Sequence, residues 1–428
     1  MSMPVLTRYA TLLPRMVSRL RRPTRSIAVT HPYLGWLGLD FGAVAAGLLS
    51  EGFRTVAVRA PAAWANPSTT SPCPAILRDA LRYAVAVETE EVPPDLDSDR
   101  QPIVRLWGTR LAQMLAQTEA AFRRNRPELV VLVQGYEPVN AVARAAALNL
   151  GIPALAIENT AINSRMLWDN VSAITTNRSL AANYYWRYRQ SISEEAVSGF
   201  VESFTSGLRG SKSAEHSAPV GSTAPDCGRP NVLFLGQVFT DSSIVFGLGP
   251  WLSPLDVIEA TVDWCQQQGY RLLLKLHPKE SMGNATITDK PYDRLTYRRI
   301  QGRPALMQAL EENQAIVDVD NRFDTYALLF QSDIAVTINS QAGLEAALFG
   351  KPAVVCGDAF YRGLGFTLDV AHPVHFDLTM AQAITQANRV SVRSRAGEFA
   401  YIYYQRYCRP KTVESIVDLA LEQLGLIR

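Results

Sequence analysis

The chain has 428 residues, of which 47% are hydrophobic and 19% charged, with a formal net charge of +2. That length exceeds one ordinary core and suggests two domains of about 150–200 residues. The small charge argues against the bulk basic field of a nucleic-acid-binding protein, and no apolar run reaches the roughly 18–20 residues of a membrane-spanning helix. The five cysteines (Cys73, Cys227, Cys265, Cys356 and Cys408) are scattered, with neither CxxC nor metal-ligand spacing. They read as reduced thiols of a cytosolic protein.

Residues 1–25 carry arginines but no acidic residue, with Leu, Met and Val between them. They lack the long apolar core of a signal peptide. The segment reads as one able to lie on an anionic membrane surface, at the inner face of a cytoplasmic membrane, or more plainly as a disordered basic tail.

Residues 26–207 form a first α/β lobe in pattern. An apolar strand at 27–30, a Gly-rich turn, a helix near 41–51 and a strand at 55–58 have βαβ spacing. A Pro/Ser-rich loop and a long helix near 103–125 follow. ELVVLVQG is a continuous apolar strand of the kind parallel sheets require. PVNAVARAAALNLG then reads as a helix and IPALAIEN as a strand. Residues 208–229 hold almost no large apolar side chain and read as a linker. The pattern restarts over 230–395 with strands NVLFL, YRLLLKL, QAIVDV, DIAVTIN and KPAVVCG separated by helices. Residues 396–428 hold C-terminal helices divided at Pro410. Two Rossmann-like, doubly wound lobes facing a cleft and closed by a C-terminal helix describe the GT-B architecture. Two-lobed binding proteins and some epimerases share the pattern.

Ligands of such folds bind outside the carboxyl ends of the strands. Four polar clusters fall there. One is Gly236-Gln237 with Asp241, Ser242 and Ser243. A second is Lys275-Leu276-His277-Pro278. The third is Asn339-Ser340-Gln341-Ala342-Gly343-Leu344-Glu345, and the fourth is Glu158-Asn159-Thr160. In the third cluster Ser340 is a good cap, Gly343 admits a close approach, and the helix start favours an anion such as phosphate. Glu345, one turn on, suits ribose hydroxyls. The plainer reading is a capped helix with a solvated Glu. His277 beside Lys275 suits a phosphate, against the plainer reading of a His that caps a loop. His31, also after a strand, is a weak acceptor-side candidate. Asp241 and Glu158 each fit an ordinary strand end or cap. Taken together they fit a nucleophile and an acid/base group across a sugar. Asp318-Val319-Asp320 looks like a DxD metal motif, but it ends a strand before a capped helix, so no metal is expected. Tyr361, between Phe360 and Gly363, is placed to line the cleft behind the Ser340 turn.

In this order the motifs resemble the bacterial capsule polysaccharide biosynthesis family. They are Gly236-Gln237-x-x-x-Asp241-x-Ser243, Lys275-x-His277-Pro278, Ser340-x-x-Gly343-x-Glu345-Ala346, Gly350-Lys351-Pro352, Gly357-x-x-Phe360-Tyr361, and Arg406-Tyr407-Cys408-Arg409. The best understood members are retaining β-Kdo glycosyltransferases. The resemblance implies a GT-B fold, a CMP-activated ulosonic acid donor without a cofactor, and a glycan or lipid-linked acceptor. It matches Asp241 to the catalytic nucleophile. Gln237, Lys275, His277, Pro278, Ser340, Gln341, Gly343, Glu345 and Tyr361 fall in the nucleotide-binding region, and Glu158 matches a strand-end Glu of the first lobe. Glu158-Asn159-Thr160 departs from the family's Glu-Asp-Gly-Phe, and Gly363-Leu364-Gly365 lacks its Trp; these changes bear on the acceptor and the exact sugar. The alternatives are an inverting transferase or nucleotide-sugar epimerase of the same fold, or a non-catalytic export or scaffold protein.

Overall fold

The computed structural model describes residues 25–31, 33–59, 71–97, 101–160, 162–170, 179–215, 221–281, 293–385 and 389–427. The basic segment therefore lies outside the described residues, apart from Arg25, which opens the first strand. The chain divides into two compact units. Unit 1 takes residues 1–84, 96–174 and 408–428; unit 2 takes 85–95 and 175–407. All five cysteines are free thiols. Among the described residues no helix is long and apolar enough to cross a membrane.

Unit 1 is built on the sheet β2-β1-β3-β4-β5-β12. The strands are β1 (Arg25–His31), β2 (Phe53–Arg59), β3 (Leu129–Val133), β4 (Ala154–Asn159), β5 (Arg165–Asp169) and β12 (Arg409–Pro410). The first four pair in parallel, and β5 and β12 add antiparallel edges. Every residue of β3 is buried, as the LVVLV run requires when both faces are covered. The core joins Ile27, Val29, Val131, Leu155 and Ile157 to Val44 and Leu48 of the helix Phe41–Ser50, and to Ile416, Leu419 and Ala420 of the C-terminal helix Val413–Gln423. A Cβ on Gly47 would stand 2.9 Å from Val417, so the two helices meet where only a glycine fits.

Unit 2 carries a six-stranded sheet, parallel throughout, in the order β11-β10-β9-β6-β7-β8. Its strands are β6 (Asn231–Leu235), β7 (Arg271–Lys275), β8 (Ile316–Asp318), β9 (Ile334–Thr337), β10 (Ala353–Val355) and β11 (Leu368–Asp369). Counted within the unit the order is 3-2-1-4-5-6, the doubly wound order whose direction reverses between its first and fourth strands. Here those are β6 and β9. The doubly wound α/β expectation therefore stands.

The predicted boundaries shift. The helix Glu194–Glu215 belongs to unit 2, where Gly397 of the helix Arg389–Tyr401 packs closely against Val197 and Val201. The first lobe thus ends near residue 174 rather than at 207. The expected linker 208–229 is helical to Glu215, and its described remainder is bound to unit 2. Ser222 Oγ donates to Arg322 O (3.0 Å), Ala224 N to Gln331 Oε1 (3.1 Å), and Arg271 Nη1 to Pro225 O (2.7 Å). Backbone hydrogen bonding there does not need large apolar side chains, which is why composition misplaced the joint. The C-terminal helices also separate: Arg389–Tyr401 stays with unit 2, and β12 with Val413–Gln423 joins unit 1.

Candidate functional site

The reversal between β6 and β9 sets two of the four clusters side by side. The loop after β6 leans on the end of β7: Gly236 N donates to Lys275 O at 2.9 Å, and a Cβ at 236 would meet that oxygen at 2.7 Å. Only glycine permits this approach. The chain then places Gln237 against Asn339, which follows β9. Gln237 Nε2 donates to Asn339 Oδ1 (2.9 Å) and to Ser243 Oγ (2.7 Å), and Gln237 Oε1 accepts from Asn339 N (3.3 Å). Asn339 Nδ2 donates to Ser243 O (2.6 Å) and Gly247 O (2.8 Å). These two amides staple the β6 loop, the β9 loop and the short helix Ser242–Gly247 together. Asn339 is 4% exposed, and a buried amide with donors and acceptor satisfied fixes one arrangement.

Asp241 is the N-cap of that helix. Its Oδ1 accepts from Ser243 N (2.8 Å) and Ser243 Oγ (2.6 Å). The capping role that the sequence allowed is therefore present. It engages one oxygen only: among the described residues Oδ2 makes no hydrogen bond. Asp241 is half-buried. A carboxylate held by one oxygen with the other open can orient on a reacting carbon.

Much of the predicted nucleotide set faces inward instead. Lys275 is 4% exposed and donates to Asp318 Oδ2 (2.6 Å), Asn321 Oδ1 (2.5 Å) and Phe323 O (2.9 Å). All three ammonium protons are engaged, so Lys275 has none left for a phosphate. Burial lowers its pKa, and Asp318 opposes that shift. Asp318 in turn accepts from the amides of Arg322 and Phe323. Asp320 pairs with Arg294 at 2.5 Å. The DxD carboxylates thus have polypeptide partners. Glu345 is 2% exposed and accepts from Tyr326 Oη (3.0 Å) and Gln341 Nε2 (3.2 Å), so it is neither solvated nor presented to a ribose.

The Ser340 turn also differs from expectation. Ser340 N donates to Thr337 Oγ1, Ala342 N to Ser340 Oγ and Gly343 N to Ser340 O, so these three amides are not free. The group that Gly343 admits is Tyr361. A Cβ at 343 would lie 2.2 Å from the Tyr361 hydroxyl, which donates to Ser340 O. Tyr361 is fully buried, its hydroxyl pushed well up by burial, and its ring lies among Phe360 and Phe366. It supports the turn from beneath rather than lining an open surface. His277 remains half-buried, with Nδ1 accepting from Lys279 N at 3.0 Å; Pro278 opens the 3-10 turn Pro278–Ser281. The next carboxyl, Glu280, was not singled out. It is 3% exposed, accepts from Thr296 N and Oγ1, and has its pKa raised by burial.

A cavity of about 20 Å³ beside Gln237 is lined by Phe234, Gly236, Ile244, Leu276 and Thr296, room for roughly one water. A groove of about 590 Å³ lies between the helices Glu194–Glu215 and Arg389–Tyr401. No predicted site residue lines it.

In unit 1, Glu158 ends β4 half-buried and accepts from Gln134 Nε2 at 2.9 Å. Gln134 follows β3 with φ 63, and its Oε1 is buried with no hydrogen-bond partner. Three residues after Gln134 is Glu137, the N-cap position of the helix Pro138–Asn149, which the sequence analysis did not single out. It is 2% exposed and accepts from Asn140 Nδ2 at 3.2 Å, while Asn140 Oδ1 takes Val133 N at 3.1 Å. Burial, then the charge of Glu158, pushes Glu137 up to about 8. Asn159 donates to Trp36 O (2.7 Å) and accepts from Lys411 Nζ (3.1 Å). His31 stands edge-on to Phe41 at 4.6 Å.

Residues 211–407 match the family described as capsule polysaccharide biosynthesis protein. The chain is 26% identical over 210 residues to the lipopolysaccharide-processing protein LpsZ of Rhizobium meliloti, a stretch covering 48% of this chain and 41% of that protein. The chain thus spans less than half the length of that relative. Among solved structures it is similar to Thermosulfurimonas dismutans KpsC, beta Kdo 2,4 transferase, with TM-score 0.44 and 19% identity over 68% of this chain and 87% of that one. It is also similar to the UDP-GlcNAc 2-epimerase of Neisseria meningitidis bound to UDP-GlcNAc, with TM-score 0.36 and 9% identity over 94% and 99% of the two chains.

Proposed function

We propose, from the match of residues 211–407 to the capsule polysaccharide biosynthesis family, that this chain is a glycosyltransferase of bacterial surface polysaccharide assembly. In this reading it transfers Kdo or a related ulosonic acid from a CMP-sugar to a glycan or lipid-linked acceptor, with retention of configuration. The observation that carries it is the cluster of Gln237, Asp241, Ser243 and Asn339 at the β6/β9 reversal, inside the family segment. Asp241 is the nucleophile in a double displacement: Ser243 holds Oδ1, Oδ2 attacks the anomeric carbon, and the bond from that carbon to the phosphate oxygen breaks, its electron pair leaving with CMP. Glu158 takes the proton of the acceptor hydroxyl in the second step. His277, Ser340 and Gln341 are the half-buried donor-side groups. Lys275, Gly343, Glu345 and Tyr361 act beneath them as supports. The single phosphate of a CMP donor carries less charge than a diphosphate, and the reading needs no metal. The basic residues 1–25 suit work at the inner face of a membrane.

Calorimetric titration with CMP, beside UMP, UDP and GDP, tests the donor class. Selective CMP binding weakened by His277→Ala is the expected result. Preference for UDP or GDP overturns the ulosonic acid reading and favours an epimerase or another transferase. Failure of every nucleotide to bind favours the scaffold reading.

A further inference from the structure

Glu280 lies outside the four clusters, and the proposed chemistry does not use it. It follows the His277 turn and is 3% exposed. A carboxyl so enclosed is costly unless donors surround it. Its donors come from distant parts of the chain. Thr296, in the first turn of the helix Leu295–Gln301, donates its amide to Glu280 Oε2 at 2.8 Å and its hydroxyl to Oε1 at 2.5 Å. The backbone of Phe239 also hydrogen-bonds the carboxyl. Among the described residues no cation pairs with it: Arg298, whose charge reaches it, is paired with Glu90 at 3.2 Å.

These contacts lead to the loops of the candidate site. Phe239 is in the turn 238–241, which Asp241 N closes by donating to Val238 O at 2.9 Å. The carboxyl therefore holds the middle of the turn that ends in Asp241. The Thr296 hydroxyl also lies 3.4 Å from Gln237 O. Arg299, one turn further along the same helix, stacks over the Phe239 ring at 5.8 Å and is anchored on Thr89 O at 3.1 Å. The Glu280 main chain serves the neighbouring loop. Its N donates to His277 O at 3.1 Å, and its O accepts from Arg294 N at 3.2 Å. One residue thus joins the loop after β6, the turn after β7 and the start of a helix, all within unit 2.

The plainer role is that of a helix cap. Arg294, at the N-cap, has φ 57 and makes no side-chain capping bond, so Glu280 satisfies an amide that the local chain leaves open. That role accounts for the Thr296 amide. It does not account for the grip on Phe239 or for the main-chain bond to His277.

We propose that Glu280 is a positioning residue, which fixes the turn carrying Asp241 against the turn carrying His277 and so sets where a bound donor meets the nucleophile. The tie between the turns stands on its contacts; its catalytic consequence rests on the transferase reading.

Amide hydrogen exchange of the full chain, read by mass spectrometry over residues 236–243 and 294–301, tests this with Glu280→Ala and Glu280→Gln. In Glu280→Ala, exchange over 236–243 should rise roughly tenfold, as expected for one lost hydrogen bond to a charged group. In Glu280→Gln it should stay near that of the unaltered chain, because the amide keeps an acceptor for Thr296 N and a donor toward Thr296 Oγ1. The helix Pro254–Gln268 of the same unit is the control and should not change. A rise confined to 294–301 makes Glu280 a cap only and overturns the proposal. A rise that extends to Pro254–Gln268 is general loss of stability and overturns it too. If Glu280→Ala does not fold, Thr296→Val, which removes the hydroxyl and keeps the amide, decides by the same readings. Where transfer is measurable, Glu280→Ala should lower kcat roughly 10²-fold with little change in KM, and Glu280→Gln should restore most of it. An unchanged kcat overturns the catalytic consequence. Because exchange needs no substrate, a loosened turn in a chain that transfers nothing refutes only the transferase reading.

Discussion

Asp241 in unit 2 and Glu137 in unit 1 both follow parallel strands, yet their surroundings differ. Asp241 is half-buried and held through one oxygen by Ser243, within a network whose amides are satisfied by Gln237 and Asn339. Glu137 is enclosed, has Asn140 as its side-chain donor, and faces the charge of Glu158. The first environment orients a carboxylate at little solvation cost. The second makes ionisation expensive and stores a proton. Position at a strand end is thus common to both, and solvation separates their chemistry.

The largest expected effect separates these roles outright. On the proposed transferase reading, Asp241→Asn replaces the oxygen proposed to attack but keeps a good N-cap, so transfer should fall roughly 10³-fold or more while the unfolding midpoint barely moves. A large loss of stability with transfer retained would make the cluster structural and erase the contrast. Next comes Lys275→Met, which leaves Asp318 buried without its cation and should cost about 3–5 kcal/mol in denaturant unfolding. Adding Asp318→Asn, which removes the charge and keeps an acceptor for the amide of Arg322, should recover part of that loss. Unchanged stability in the single variant, with weakened nucleotide binding, would restore Lys275 to the donor site.

A smaller effect concerns pH. The folded chain keeps a proton on Glu137 between its ordinary 4.5 and about 8. The unfolded chain releases it, so stability falls as pH rises through that window. Glu137→Gln should flatten this slope, as read by melting at several pH values. The smallest effect is Gly343→Ala, whose Cβ would meet the Tyr361 hydroxyl at 2.2 Å. It should cost about 1–3 kcal/mol, and Tyr361→Phe in the same chain should relieve part of it, because the ring carbon lies farther off at 3.2 Å. No relief would mean that the turn, and not the hydroxyl, sets the requirement.

The parallel strands were readable because a strand covered on both faces must be continuously apolar, as LVVLV and NVLFL are. The short β5 and β12 were not. Arg165–Asp169 and Arg409–Pro410 carry charged or conformationally awkward residues, and they pair across a long stretch of chain. Likewise, the motif spacing marked Gln237, Asp241, Ser340 and Gly343 as a group. It did not distinguish the side chains that face outward from those that hold the turn.

The amino-acid sequence by itself therefore determined the two α/β units, the strand ends on which polar residues gather, and the likeness to the capsule polysaccharide family. These follow from local periodicity and spacing. Tertiary structure alone decided that Lys275 and Glu345 are occupied inside the fold, that Gly343 makes room for Tyr361, and that Glu137 stands enclosed. Burial and partner choice are set by elements distant in the chain, and the same Lys, Glu or Tyr serves a ligand or a core according to what packs over it.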